Sequence, residues 1–430
     1  MTLAVVTQGA AAAGTSSAAD PLQAALARAG VQGSAVIVDF HAPWCYSCYY
    51  MASHVLTGPE WTAVGKRAVV IEADADAPDG AALMARWDIK ALPAYLVLDA
   101  QGGEIGRILG EQTRADFYST LKALLDHGDS VDALKLAARR GDAAAPAAAH
   151  KVLAAFLARQ DADGGLDWYA ELTPELRAKL DQDPGVRLTL ARLKLIQDAA
   201  AKDTWACLAD GSEVLAGDLG CERPYELQRY LACAGEQSDS RDLLRNQRAA
   251  MSQLVESGVF GAKACADQRS IVLTAVDLYQ AIGDTGAADA LLKRAIDQAR
   301  RSVGENLASD RNLADNLRVY LERYGSVDEL DALMVELIKA YPDDYVYPFR
   351  YGRSLLARGA AEAALPYLER AAKQAYGINR LKVAEQRVQA LQQLGRDRDA
   401  RKVVAQTLKA NGPWFEAEAA ALKALLDPKG

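Results

Sequence analysis

Two periodicities divide this chain. From residue 20 to about 126, short apolar runs alternate with amphipathic segments; after Gly128 the short runs stop and helical spacing continues to the end. Asp20 and Pro21 read as an N-cap and first helical position, and Gly30 is expected to end that helix. "SAVIVDFH" (34–41) is a continuous apolar, β-branched run, the pattern of a buried central strand. A helix is expected from Cys45. "RAVVIEAD" (67–74) is a second buried strand, "GAALMARWD" (80–88) a short helix, and "AYLVLD" (94–99) a third strand. Ala100 to Gly103 turn the chain so that "EIGRILG" (104–110) pairs back as a hairpin, and Thr113 opens an amphipathic helix to about Asp126. A βαβ half followed by a ββα half predicts an α/β domain over residues 20–127.

The remainder predicts an all-α region. Thr173-Pro174 and Asp183-Pro184 are N-cap and first-position-proline starts. Near the C-terminus the spacing repeats. Gly283, Ala288, Leu292 and Ala295 are matched by Gly359, Ala364, Leu368 and Ala371, and by Gly395, Ala400, Val404 and Thr407. Gly325, Leu330, Met334 and Leu337 form a looser copy. Glycine suits the turn between antiparallel helices, alanine lets them approach, and the larger residue fills the seam. This pattern resembles the tetratricopeptide repeat. The expected divisions are a leader over 1–19, the α/β domain over 20–127, a helical domain with four cysteines over 128–270, and tetratricopeptide-like repeats over 271–430.

Composition narrows the function classes. The chain has 430 residues and a net charge of −8, with no long Lys/Arg run, which disfavours nucleic acid and anionic lipid as partners. No apolar stretch is long enough to span a membrane. The small residues Ala10 to Ala13 read like the end of a secretory signal, yet no Lys or Arg precedes Arg28. A signal starting upstream of Met1 accounts for both, as does a simple Ala/Gly/Ser leader. Cys207, Cys221, Cys233 and Cys265 lie in one window. They suit either two disulfides in an oxidising compartment, with three connectivities open, or free buried thiols.

The chemistry concentrates in "FHAPWCYSCYYM" (40–51). A cysteine has an ordinary pKa near 8.5, so only about 3% is thiolate at neutral pH; a value near 7 would ionise roughly half. The first turn of a helix favours the anion through unpaired N–H groups and the helix dipole. Cys45 is therefore the candidate nucleophile, and Cys48, three residues on along the same face, the candidate resolving thiol. A purely structural bridge or half a zinc site fits less well, because the loop is short and no second Cys-x-x-Cys exists.

"VDFHAPWCYSC" and "IKALPAYLVLD" resemble the thioredoxin family, with details closest to the C-terminal thioredoxin-like domain of DsbD-type thiol–disulfide interchange proteins. The resemblance implies a redox pair at Cys45 and Cys48. It implies a proton-handling acid at Asp39, a cis-proline at Pro93, and a substrate groove formed by Trp44, Tyr46, Ser47 and Leu92. It implies protein-disulfide substrates or a redox partner protein and no cofactor or metal; the four further cysteines and the Ala-rich leader point to a periplasmic setting, with a cytoplasmic one as alternative. The helical repeats would hold a protein partner near the sulfur. Tyr46-Ser47 departs from the commoner dipeptides. Tyr49 stands where a lysine is frequent, removing a positive charge, and Glu72 where a buried lysine is frequent. The rival reading is an interaction scaffold whose α/β domain only docks.

Overall fold

The computed structural model describes residues 20–126, 128–235, 240–262 and 264–426; the leader expected over 1–19 lies outside them. Helix α1, Pro21–Gln32, starts on the Asp20 carboxylate, which accepts from the Leu22 N–H at 2.9 Å. It runs through Gly30 and stops at Gly33, whose φ of 62° supplies the left-handed cap. Gly30 does not end it because a stop needs that left-handed residue, and a glycine inside the last turn only weakens the helix.

Strand β1, Ala35–His41, leads to α2, Tyr46–Tyr50, which continues as a π-helical turn over Met51–Val55. There follow α3, Gly58–Val64; β2, Ala68–Asp74; α4, Pro78–Arg86; β3, Ala94–Leu98; β4, Glu104–Leu109; and α5, Arg114–Asp126. The sheet order is β2-β1-β3-β4. β1 is parallel to β2 and antiparallel to β3, and β3 pairs antiparallel with β4. Alternation along β1 splits the core: Val36, Val38 and Phe40 pack with α1, while Ile37 packs with Met51, Tyr95, Phe117 and Leu121. The central strand thus ends, at His41, directly before the cysteines.

Beyond Gly128 every regular element among the described residues is helical. Four successive helix pairs follow, 268–281 with 285–303, 311–324 with 327–340, 346–357 with 361–374, and 377–393 with 397–411, and a last helix covers 416–424. The turns hold Gly283, Gly325, Gly359 and Gly395 at φ of 85°, 83°, 79° and 69°, which only glycine adopts without strain. Ala288, Leu292, Ala364, Leu368, Ala400 and Val404 are buried in the seams. One apolar core runs from Ala191 to Leu422, and a smaller one from Leu134 to Leu193. All four cysteines of this region are bridged, Cys207 to Cys233 and Cys221 to Cys265.

The first helix of each pair contacts the α/β unit. At the last of them the backbones meet: Ile378 N–H donates to the Asp76 carbonyl at 3.0 Å. Gly377 has φ 51°, and a Cβ there would stand 1.8 Å from the same carbonyl oxygen. Gly377→Ala is therefore expected to destabilise the protein by about 2–3 kcal/mol through strain and clash together. Urea midpoints of the two proteins test this, and equal midpoints would contradict it.

Candidate active site

Cys45 sits at the β1–α2 junction as the N-cap residue, so the helix begins at Tyr46, one position after the expected start, and Cys45 is disulfide-bonded to Cys48. Its Sγ accepts from the Cys48 N–H at 3.1 Å. A cap sulfur uses the same orphan N–H that a serine or aspartate oxygen would. Around the bridge lie Ala42, Ala75 and Leu92, so its immediate wall is apolar. The Leu92–Pro93 peptide is cis, and the Pro93 carbonyl is held by the Gly110 N–H at 2.9 Å. Cys45 and Cys48 are only 5% and 8% exposed.

Asp39 lies two residues before the end of β1, in register with Glu72 on β2 and Tyr95 on β3. Burial pushes its carboxyl up to about 6; nearby His41 lowers it and Glu72 raises it less. Glu72 itself is exposed, so it acts on Asp39 mainly across the strand pair rather than as a second buried acid. Because the folded-state pKa of Asp39 lies above its ordinary value of 3.8, the unfolded chain ionises first as pH rises from about 4 to 6. Stability from this group is lost through that window and stays lost above it. Asp39→Asn is expected to stabilise the protein by about 1–3 kcal/mol at pH 7.5 and by almost nothing at pH 4. Urea unfolding at the two pH values checks this; a gain of the same size at both would contradict it.

Trp44 is 39% exposed, its indole N–H donating to Asp76 Oδ1 at 3.1 Å. Leu92 stays beside the cysteines. Tyr46 and Ser47 are half-buried, and helices of the C-terminal region cover them. Asn312 Nδ2 donates to the Tyr46 carbonyl at 3.1 Å, Arg318 to the Tyr46 hydroxyl at 2.8 Å, and Arg269 to Ser47 Oγ at 3.1 Å. Arg350 donates to the Trp44 carbonyl at 2.8 Å. His54 Nε2 meets Asp310 Oδ2 at 2.7 Å on the same face. The charge missing at Tyr49 is replaced from afar: the Arg311 guanidinium lies 4.0 Å from the centre of its ring.

These partners escaped the sequence reading, as did Glu111, whose side chain is buried 3.8 Å from Arg269 Nη2. Burial, with Asp267 adding, pushes the Glu111 carboxyl up to about 8. One signal was present. Asn312, Asp315 and Arg318 recur every three residues and lie 3%, 0% and 5% exposed among buried Ala314, Leu317 and Leu321. A polar stripe inside a buried helix face marks a polar interface.

Residues 22–125 match the family described as thioredoxin-like domain. The chain is 37% identical over 95 residues to the thiol:disulfide interchange protein DsbD of Cronobacter sakazakii, covering 21% of this chain and 16% of the relative. It is 33% identical over 104 residues to the protein of that name from Ralstonia nicotianae, covering 24% and 17%. The chain thus spans about a sixth of the length of these curated relatives. The four-stranded mixed sheet, the bridged Cys45–Cys48 pair at the end of its central strand, and this match agree: residues 22–125 are a thioredoxin-like domain, followed by a largely helical region.

Proposed function

We propose that this protein is a thiol–disulfide oxidoreductase acting on protein disulfides. The observation that carries the reading is the Cys45 sulfur at a helix N-cap, already accepting the Cys48 N–H. A thiolate in that position keeps the same hydrogen bond and gains from the charge. In the reducing direction the Cys45 thiolate attacks one sulfur of a substrate disulfide. That bond breaks, a Cys45–substrate disulfide forms, and the first substrate sulfur leaves as a thiolate and takes a proton. Cys48 then loses its proton to the Asp39 carboxylate and attacks the Cys45 sulfur. The second substrate sulfur leaves, the Cys45–Cys48 bridge forms, and two electrons have passed to the substrate. A dithiol protein must then reduce the bridge. Pro93 and Leu92 would shape the groove, with Trp44 at its edge. The bridged cysteines of the helical region support a periplasmic or other oxidising setting. No helix among the described residues is long and apolar enough to cross a membrane.

A second reading has one observation in its favour. The dipeptide is engaged by the chain's own helical region, as in a scaffold whose thioredoxin-like domain only docks. Insulin reduction by the full-length protein with dithiothreitol separates the two. Turnover lost in Cys45→Ser supports exchange; no turnover in the wild type supports the scaffold.

A further inference from the structure

The exchange steps leave one feature unused. Three guanidinium groups from three different helix pairs converge on the ring of Tyr46, the residue next to the proposed nucleophile. Arg269 lies 4.5 Å, Arg350 4.7 Å and Arg318 5.5 Å from the ring centre. Each also donates a hydrogen bond to Trp44, Tyr46 or Ser47, so the contact spans both sides of Cys45. These are not surface charges: Arg269 and Arg318 are 8% and 5% exposed as residues, and the Arg350 side chain is 13% exposed.

Burying cations is costly unless they are paired. Asp315 accepts from Arg318 and Arg350 at 3.0 Å each, and Glu322 accepts from Arg318 at 2.7 Å. Asp267 stands 3.9 Å from Arg269 and Asp344 pairs with Arg311, while Glu111, 3.8 Å from Arg269 with its carboxyl pushed up to about 8, is mostly protonated at neutral pH and offsets little charge. From the thioredoxin-like domain the charged and titratable groups near the site include Asp39, His41, Glu72, Asp74, Asp76, His54 and Glu111. The pairing offsets the cost of burial, yet the hydrogen bonds to Trp44 and Tyr46 come from arginines and Asn312. The dipeptide therefore faces cations that have carboxylates as their partners, and Ser47 also hydrogen-bonds the Glu111 carboxyl.

We propose that Arg269, Arg318 and Arg350 are positioning residues of the redox centre: the helical region gives the thioredoxin-like domain the positive field that holds Cys45 as a thiolate once the bridge is reduced. This rests on the exchange reading above. A guanidinium bonded to the residues that flank a poorly solvated thiol favours ionisation of that thiol. It stabilises the reduced pair against the disulfide, making the pair the stronger oxidant. The helical repeats are then part of the chemistry, and the charge that Tyr49 does not supply arrives from residues more than two hundred positions away in sequence.

The test uses the full-length reduced protein and the pH profile of iodoacetamide labelling at Cys45, read from its peptide by mass spectrometry. The midpoint of the profile reports ionisation, and its alkaline plateau reports access. Arg350→Gln is expected to raise the midpoint by about one pH unit, so that labelling at pH 6 falls roughly tenfold while the plateau is unchanged. Its reduction potential is expected to fall. Arg350→Lys keeps the charge and is expected to keep the wild-type midpoint. Arg269→Gln gives a second site should Arg350→Gln fail to fold. An unchanged midpoint with a raised plateau would mean that the arginines merely hold a cover closed, and would overturn the proposal. A midpoint moved as far by Arg350→Lys would overturn it too. A wild type that labels no faster than glutathione at neutral pH would instead remove the exchange reading, with the midpoint comparison still deciding the arginines.

Discussion

Cys48→Ser is expected to accumulate a mixed disulfide between Cys45 and a disulfide-bearing substrate protein, and to lose insulin turnover by at least ~10³-fold. The magnitude comes from proximity. Cys48 is bridged to Cys45 across a Cα separation of 5.2 Å, so its attack on a mixed disulfide is intramolecular. Well-oriented intramolecular reactions reach effective molarities of about 10⁵ M or more, against millimolar external thiol, so even a small part of that advantage exceeds three orders of magnitude. The serine hydroxyl cannot displace a thiolate. Cys45→Ser should trap nothing, because the attacking sulfur is gone. Non-reducing gels and intact mass spectrometry read the adduct. Trapping by Cys45→Ser instead would reverse the assigned roles, and trapping by neither would argue for the docking module.

Removing either bridge of the helical region should produce the largest loss of stability. The bridges join residues 26 and 44 positions apart. Cross-links closing loops of that length restrict the unfolded chain by about 3–4 kcal/mol each. Alanine is the informative replacement, because Cys207 and Cys265 are 0% and 5% exposed and a serine hydroxyl would add an unsatisfied polar group. Cys207→Ala/Cys233→Ala and Cys221→Ala/Cys265→Ala should both lower the urea midpoint under non-reducing conditions. The second pair should also disturb the redox site, since Cys265 lies just ahead of the helix that carries Arg269. Midpoints equal to that of the wild type would show that the bridges carry no such restraint.

How much could be read before folding differs from one part of the site to another. Most of the α/β unit was legible, because its strands are largely apolar runs and its helices are bounded by caps and glycines, while the helix over 58–64 was not expected. Gly30 misled, since composition marks a possible stop and conformation chooses it; the left-handed residue is Gly33. The cysteine pair and Pro93 stand out in the sequence because one short segment and one loop carry them, and the structure bridges the pair and makes the Leu92–Pro93 peptide cis. The pairing of the other four cysteines was left open at three connectivities, and the packing of helices 204–216, 223–234 and 248–258 selected one. Tyr46 and Ser47 were expected to line a groove. The structure instead engages them with residues 269 to 350, whose arginines look in sequence like ordinary solvated helix charges.

By itself, then, the sequence determined the local chemistry: two sulfurs one helical turn apart, at the end of a buried strand. It also determined the helical phasing of the C-terminal pairs, through glycines that must turn left-handed. Only the tertiary structure decided the electrostatic surroundings of those sulfurs. Backbone propensity and short-range spacing act over a few residues and leave their mark on neighbouring letters. The field at a site depends on distance in space and on how far water is excluded, and here it comes from helices far along the chain that fold back over the dipeptide.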